Sequence, residues 1–222
     1  MLRRQRLWAD LQADVKMLPT PETVGRVLAL EEEEKLLREC ARSRSRSLWT
    51  VIALALNTGM RLSEIRLLCW RSVDLVGKTI TVGESKTAAG RGRVVPLNTR
   101  ATAAMKAWRF RFPDRKPSHY VFPSERCGIA GDAEVPCVYD VDPTEPINSW
   151  KEAWEAAKRH AGLQIRFHDL RHTACTRMLE GGVPLSVVAA LLGWSPATTA
   201  RMVKRYGHIS DSAQRGAVAL LE

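Results

Sequence analysis

The sequence predicts a mainly α fold with a small antiparallel β-sheet, of the α+β class. Three observations predict it. Most of the chain reads in apolar repeats of helical spacing, closed by glycine or proline. Only residues 78–97 alternate like paired strands, and a polar loop divides them. The chain has 222 residues, 45% of them apolar, which is enough to bury a core without disulfides or metals.

The elements follow in chain order. Arg3 to Met17 reads as a short helix with Leu7, Leu11 and Val15 on one face, ended by Pro19 and Pro21. Residues 1–25 are expected to be a linker, and the main domain to occupy 26–222. Glu31 to Ala41 is a helix whose acidic first turn complements the positive end of its dipole. Leu48 to Asn57 is apolar throughout and is expected to be a buried helix, with Gly59 as a left-handed cap. Leu62 to Cys69 is a further short helix. Lys78 to Gly83 and Arg93 to Leu97 are the strands, with Ile80 and Val82 on one face. Thr99 to Phe110 is helical, and Tyr120 to Phe122 is a short strand or turn. Pro123 to Pro146, rich in Gly, Pro and Asp, reads as a long surface loop. Four more helices are expected at 147–161, 168–180, 184–192 and 198–205, and a last one at 211–221.

Charge narrows the class of partner. Lys and Arg number 34 and Asp and Glu 24, a balance of +10 with a pI near 9.8. Such a surface suits the phosphates of nucleic acid, and arginine's planar fork favours them further. The five cysteines (Cys40, Cys69, Cys127, Cys137 and Cys175) are scattered with no C-x-x-C pair, which fits a reducing compartment. No apolar stretch is long enough to span a membrane, and no secretory h-region follows the basic start. A cytoplasmic, nucleoid-associated protein is expected. No G-x-x-x-x-G-K-[ST] loop is present, so no nucleotide is expected.

Four motifs carry candidate chemistry. Thr58-Gly59-Met60-Arg61-Leu62-Ser63-Glu64 puts Arg61 and Glu64 three residues apart, so they share a helix face and pair. Ser85-Lys86-Thr87 sits in the loop between the strands, with Arg91 and Arg93 after it; a lysine there reaches a site and donates a proton. His168-Asp169-Leu170-Arg171-His172 sets His168, Arg171 and His172 along one helix. Histidines at i and i+4 also suit zinc, but Asp169 stands where that pattern wants glutamate, and Arg171 would set a cation beside the metal. Leu191-Leu192-Gly193-Trp194 and Lys204-Arg205-Tyr206-Gly207-His208 complete the set.

In order and spacing, TGMRLSE, SKT, HDLRH, LLGW and YGH resemble the tyrosine recombinase (phage integrase) family, over roughly residues 26–222. The resemblance implies the catalytic-domain fold of that family and a site-specific enzyme that cuts and rejoins DNA through a 3′-phosphotyrosyl link. It implies Tyr206 as nucleophile, Arg61 and Arg171 as phosphate clamps, Lys86 as general acid and His168 as general base or proton relay. Trp194 stands where many relatives carry histidine; its indole donates a hydrogen bond but shuttles no proton. Glu64 and His172 are supporting residues, and Arg91, Arg93, Lys204 and Arg205 are candidate DNA contacts. No metal, ATP or other cofactor is implied. The implied partners are double-stranded DNA and other protomers of the same chain in a synaptic complex. Relatives carry a separate helical DNA-binding domain upstream, so residues 1–25 are expected to be the tail of such a core-binding domain, missing here. A type IB topoisomerase-like strand transferase and a DNA-binding relative without catalysis are the rival readings.

Overall fold

The computed structural model describes residues 25–129 and 138–206, with the backbone alone at 126–129, 138–139 and 204–206. The expected helices at 3–17 and 211–221, and Cys127 and Cys137, lie outside the described side chains. Eight α-helices are described: α1 (Leu30–Ala41), α2 (Leu48–Thr58), α3 (Leu62–Arg66), α4 (Thr99–Arg109), α5 (Lys151–His160), α6 (Phe167–Glu180), α7 (Leu185–Leu192) and α8 (Pro196–Tyr206). Strands β1 (Val73–Asp74), β2 (Thr79–Thr81) and β3 (Val94–Pro96) form an antiparallel sheet in the order β1-β2-β3.

The apolar helix α2 is the centre of the core. Leu48, Val51, Ile52, Leu54 and Ala55 are all fully buried, because α1, α4 and α6 pack around it. Leu36 of α1, Met105 of α4 and Leu170 of α6 join the same cluster. Aromatic rings close one end. Trp108 stacks on Phe122 and meets Phe112 edge-on, and its indole N–H donates to the Val121 carbonyl at 2.7 Å. A smaller cluster lies between α6 and α7, built from Cys175, Val188, Ala189, Leu192 and Trp194.

Helix ends are set by side chains. Asn98 Oδ1 accepts the Ala101 N–H at 2.9 Å and starts α4. The reciprocal device opens α3 and α6, where the third helical residue reaches back: Glu64 accepts the backbone N–H of Arg61, and Asp169 that of Arg166. Gly59 ends α2 in the left-handed region at φ 64°. The starts of α3 and α6 and the Gly59 end of α2 lie beside candidate site residues.

Three expectations change. The predicted loop at 123–146 contains a hairpin, β4 (Pro123–Ile129) with β5 (Val138–Pro146), whose register shifts twice. Its described β5 residues alternate between half-buried and exposed, with none buried, so hydropathy carries no strand signal; backbone pairing holds it. The predicted helix to Cys69 stops at Arg66, because Leu68 and Cys69 leave it to pair with Val121 and Tyr120. The helix predicted from Ile147 begins at Lys151, and Ile147 instead pairs its N–H with the Phe122 carbonyl.

Candidate active site

Arg61 caps the start of α3, and its side chain reaches three groups. Nη1 donates to Glu64 Oε1 at 2.7 Å and to Ser85 Oγ at 3.3 Å, and Nη2 to the Gly193 carbonyl at 3.3 Å. Arg171, on the second turn of α6, is 5% exposed. It donates to the Gly59 carbonyl at 2.7 Å and, through Nη2, to the Leu192 carbonyl. Arg93, which follows the hairpin loop, donates to both oxygens of Glu64, at 3.0 and 2.7 Å, and to the carbonyls of Gly90 and Leu191.

The C-terminal turn of α7 is thus a hub. Its successive carbonyls at Leu191, Leu192 and Gly193 each accept an arginine from a different part of the chain. Carbonyls at a helix C-terminus lack intrahelical donors and carry partial negative charge, so cations suit them. Gly193 sits at φ 60°, and a Cβ there would stand 2.6 Å from Gly90 Cα. The motif glycine is required for both reasons.

Glu64 is the counter-charge. It is 3% exposed and accepts hydrogen bonds from Arg61, Arg93 and Ser85. Burial alone would raise its pKa. The hydrogen bonds from Arg93, Ser85 and the backbone and side chain of Arg61 outweigh that and hold it at about 2. Two guanidinium groups pair with this one carboxylate and Arg171 lies within its electrostatic reach, so the site keeps an excess of positive charge. Burial, and then Arg61 beside it, push the Arg171 pKa down, yet the group stays cationic at neutral pH.

A prediction follows for Glu64. Its native pKa lies below the unfolded value of about 4.5, so its contribution is complete above that pH and disappears as pH falls towards 2. Glu64→Gln is expected to destabilise the fold by about 3 kcal/mol at pH 7, through the lost ion pairs and uncompensated arginines. Urea melts at pH 7, 4 and 3 check this. The gap between wild type and variant should narrow in acid, and a constant gap refutes the assignment.

His168 lies on the first turn of α6 and keeps an exposed edge. Partial desolvation, then the charges of His172 and Arg171, lower its pKa to about 4, so the imidazole is neutral at pH 7. His172 stands edge-on to it, with ring centroids 5.0 Å apart, and packs against Gly25. No group of three His, Cys, Asp or Glu able to hold a metal lies among the described residues. Lys86 is exposed on the loop between β2 and β3. Trp194 is 8% exposed and packs into the α6–α7 cluster, fixing the turn that presents the three carbonyls. Tyr206 is the last residue of α8, after Lys204 and Arg205; their side chains lie outside the described part.

Arg93, expected as a DNA contact, has a side chain 7% exposed that is bonded to Glu64 and two carbonyls, so it also braces the site. Arg91 is exposed beside Glu84, with the pair at 3.3 Å. Sequence reasoning also missed Ser85, Thr87 and the carbonyls of 191–193. The hydroxyls flanking Lys86 were the signal available for the first two.

The described domain thus gathers arginines around one buried carboxylate, next to the lysine-bearing loop. Residues 26–213 match the phage integrase family, and the chain belongs to that family. The integrase of Salmonella phage P22 is 29% identical over 220 residues, covering 94% of this chain and 50% of that protein. The tyrosine recombinase XerA of Pyrococcus furiosus is 25% identical over 197 residues, 88% of this chain and 63% of that protein. The chain spans about half the length of the P22 relative. The catalytic domain of bacteriophage HP1 integrase shares the fold at TM-score 0.59 and 22% identity, covering 88% of this chain and 95% of that one. The Tn1549 transposon integrase, solved with circular intermediate DNA, shares it at TM-score 0.65 and 19% identity, covering 98% and 76%. Among the described residues no helix is long and apolar enough to cross a membrane.

Proposed function

We propose that this domain cuts and rejoins DNA strands by transferring a backbone phosphodiester to Tyr206. The observation that carries the reading is the cluster of Arg61, Arg93 and Arg171 around Glu64, an electropositive pocket at the α7 C-terminus. The phosphate of DNA carries one negative charge, and the pentavalent transition state concentrates more on its non-bridging oxygens. Fixed guanidinium donors favour that state over the ground state. Arg61 and Arg171 make the phosphate contacts, and Arg93 and Glu64 hold them in place. Arg91, Lys204 and Arg205 extend the contact along the DNA backbone.

Tyr206 attacks phosphorus. The bond to its oxygen forms, the bond from phosphorus to the 5′ oxygen breaks, and a 3′-phosphotyrosyl link remains. The phenolic proton passes to neutral His168, supported by His172. The departing 5′ oxygen takes a proton from Lys86. The Trp194 indole N–H is a further donor towards the phosphate. Attack by a 5′ hydroxyl on the link reverses the steps and reseals a strand, with no call for ATP or metal. The enzyme acts in the cytoplasm on double-stranded DNA, with further protomers in a synaptic complex.

The test uses the full chain and a pool of nicked duplexes with randomised sequence. A nick near the cleavage point lets the cut fragment diffuse away and traps the covalent product. Denaturing gels in excess chelator should show a protein–DNA adduct, and peptide mapping should place the nucleotide on Tyr206. Sequencing the trapped DNA supplies the preferred duplex. Binding without an adduct would favour a relative that has lost catalysis, and an adduct abolished by chelator would favour metal chemistry. Adducts spread over unrelated sequences would favour a topoisomerase-like transferase.

A further inference from the structure

We infer that Ser85 and Thr87, the hydroxyl residues on either side of Lys86, form a latch that presents Lys86 to the leaving group; this rests on the reading of Lys86 as general acid. Ser85 Oγ donates to Glu64 Oε1 at 2.7 Å, and Thr87 Oγ1 donates to the Gly193 carbonyl at 3.0 Å. Glu64 and Gly193 are the same groups that hold Arg61. The residues before and after Lys86 are therefore each tied to an anchor of the phosphate clamp.

Chain geometry explains why the lysine stays accessible. Thr87 is extended, at φ −121° and ψ 146°. The backbone bends at Lys86 and Thr87, which sets the lysine apart from its two neighbours. Ser85 and Thr87 are half-buried, while Lys86 between them is exposed. The loop then closes on its own hydroxyls. A Cβ on Gly90 would stand 2.2 Å from Ser85 Oγ and 3.0 Å from Thr87 Oγ1. Arg93 fastens the far end, donating to the Gly90 carbonyl at 2.8 Å.

A lysine on an untethered loop would spend little time aligned with one oxygen. Two fixed neighbours confine its backbone to the clamp that holds the phosphate, which raises the fraction of productive orientations. In the step itself the 5′ oxygen leaves with the bonding electron pair and takes a proton from the Lys86 ammonium. Neutral Lys86 regains a proton from water. Ser85 and Thr87 touch no reacting atom; they are positioning residues.

The test exploits leaving-group chemistry. A duplex with sulfur in place of the bridging 5′ oxygen releases a thiolate, and thiols ionise near pH 8.5, so no acid is needed. Single-turnover cleavage is measured on both versions of the selected duplex for wild type, Lys86→Ala, Ser85→Ala, Thr87→Val and Thr87→Ser. Thr87→Val is expected to cut the oxygen substrate about tenfold more slowly, the scale of one lost hydrogen bond, and the sulfur substrate within about twofold of wild type. Ser85→Ala should follow the same pattern, Thr87→Ser should keep most of the rate, and Lys86→Ala should show a larger loss with the same rescue. Equal slowing of Thr87→Val on both substrates, or none on the oxygen substrate, overturns the latch while leaving Lys86 as the acid. Failure of sulfur to rescue Lys86→Ala overturns the general-acid reading and the latch with it.

Discussion

Tyr206→Phe is expected to abolish the covalent adduct while leaving DNA affinity within about twofold of wild type. Phenylalanine keeps the ring and removes only the oxygen that would bond to phosphorus. Removing the nucleophile of a covalent enzyme costs at least about 10⁴-fold in rate. Affinity, by contrast, comes mostly from cations set against phosphates, and the substitution changes none of them. The chain offers two other tyrosines as substitutes. Tyr120 is tied into a bridge with Cys69, and Tyr139 lies on β5 of the hairpin. Neither belongs to the segments that build the arginine pocket. Adduct formation and gel retardation, measured on the same preparation, separate the two effects. An adduct that survives in Tyr206→Phe reassigns the nucleophile, and a parallel loss of affinity shows that the phenol also builds the DNA surface.

The legible parts of the fold were those with strong local signals. Helix α2 announces itself through an unbroken apolar run ended by Gly59, and its burial on every side follows from that composition. Strands β2 and β3 were readable because Ile80 and Val95 are buried between neighbours that are not. The β4–β5 hairpin was not, because none of its described β5 residues is buried, so a strand and a polar loop look alike in hydropathy. At the site, Arg61, Glu64 and Arg171 were legible because each sits in a short motif near a helix start. The bracing contacts of Arg93 were not legible, because exposure of an arginine near a loop is the usual outcome. Its burial depends on Glu64 and Leu191, which lie 29 and 98 residues away, a relation no local pattern contains. The three carbonyls of the α7 end were illegible for a simpler reason: backbone groups have no letter in the sequence.

Arg171→Lys is expected to slow cleavage by about 10²- to 10³-fold at saturating DNA, the usual cost of losing one donor to a developing oxyanion. The substitution preserves the charge, so the argument turns on shape. The guanidinium of Arg171 joins two segments, the Gly59 carbonyl after α2 and the Leu192 carbonyl near the end of α7. It does so from a site almost closed to solvent, and its planar fork has further N–H groups to offer an anion. A lysine ammonium is a compact point charge on a flexible stem and does not reproduce that geometry. Leaving one buried carbonyl unpaired costs about 1–3 kcal/mol, so a urea melt should register the change as well. Arg61→Lys provides the control. Arg61 is more exposed, at 17% for the side chain, and its backbone N–H still caps α3 through Glu64. Its substitution should slow cleavage on a similar scale with a smaller loss of stability. If Arg171→Lys cuts DNA at close to the wild-type rate, the α7 hub is a structural clasp, and the transition-state charge must be met by other cations of the pocket.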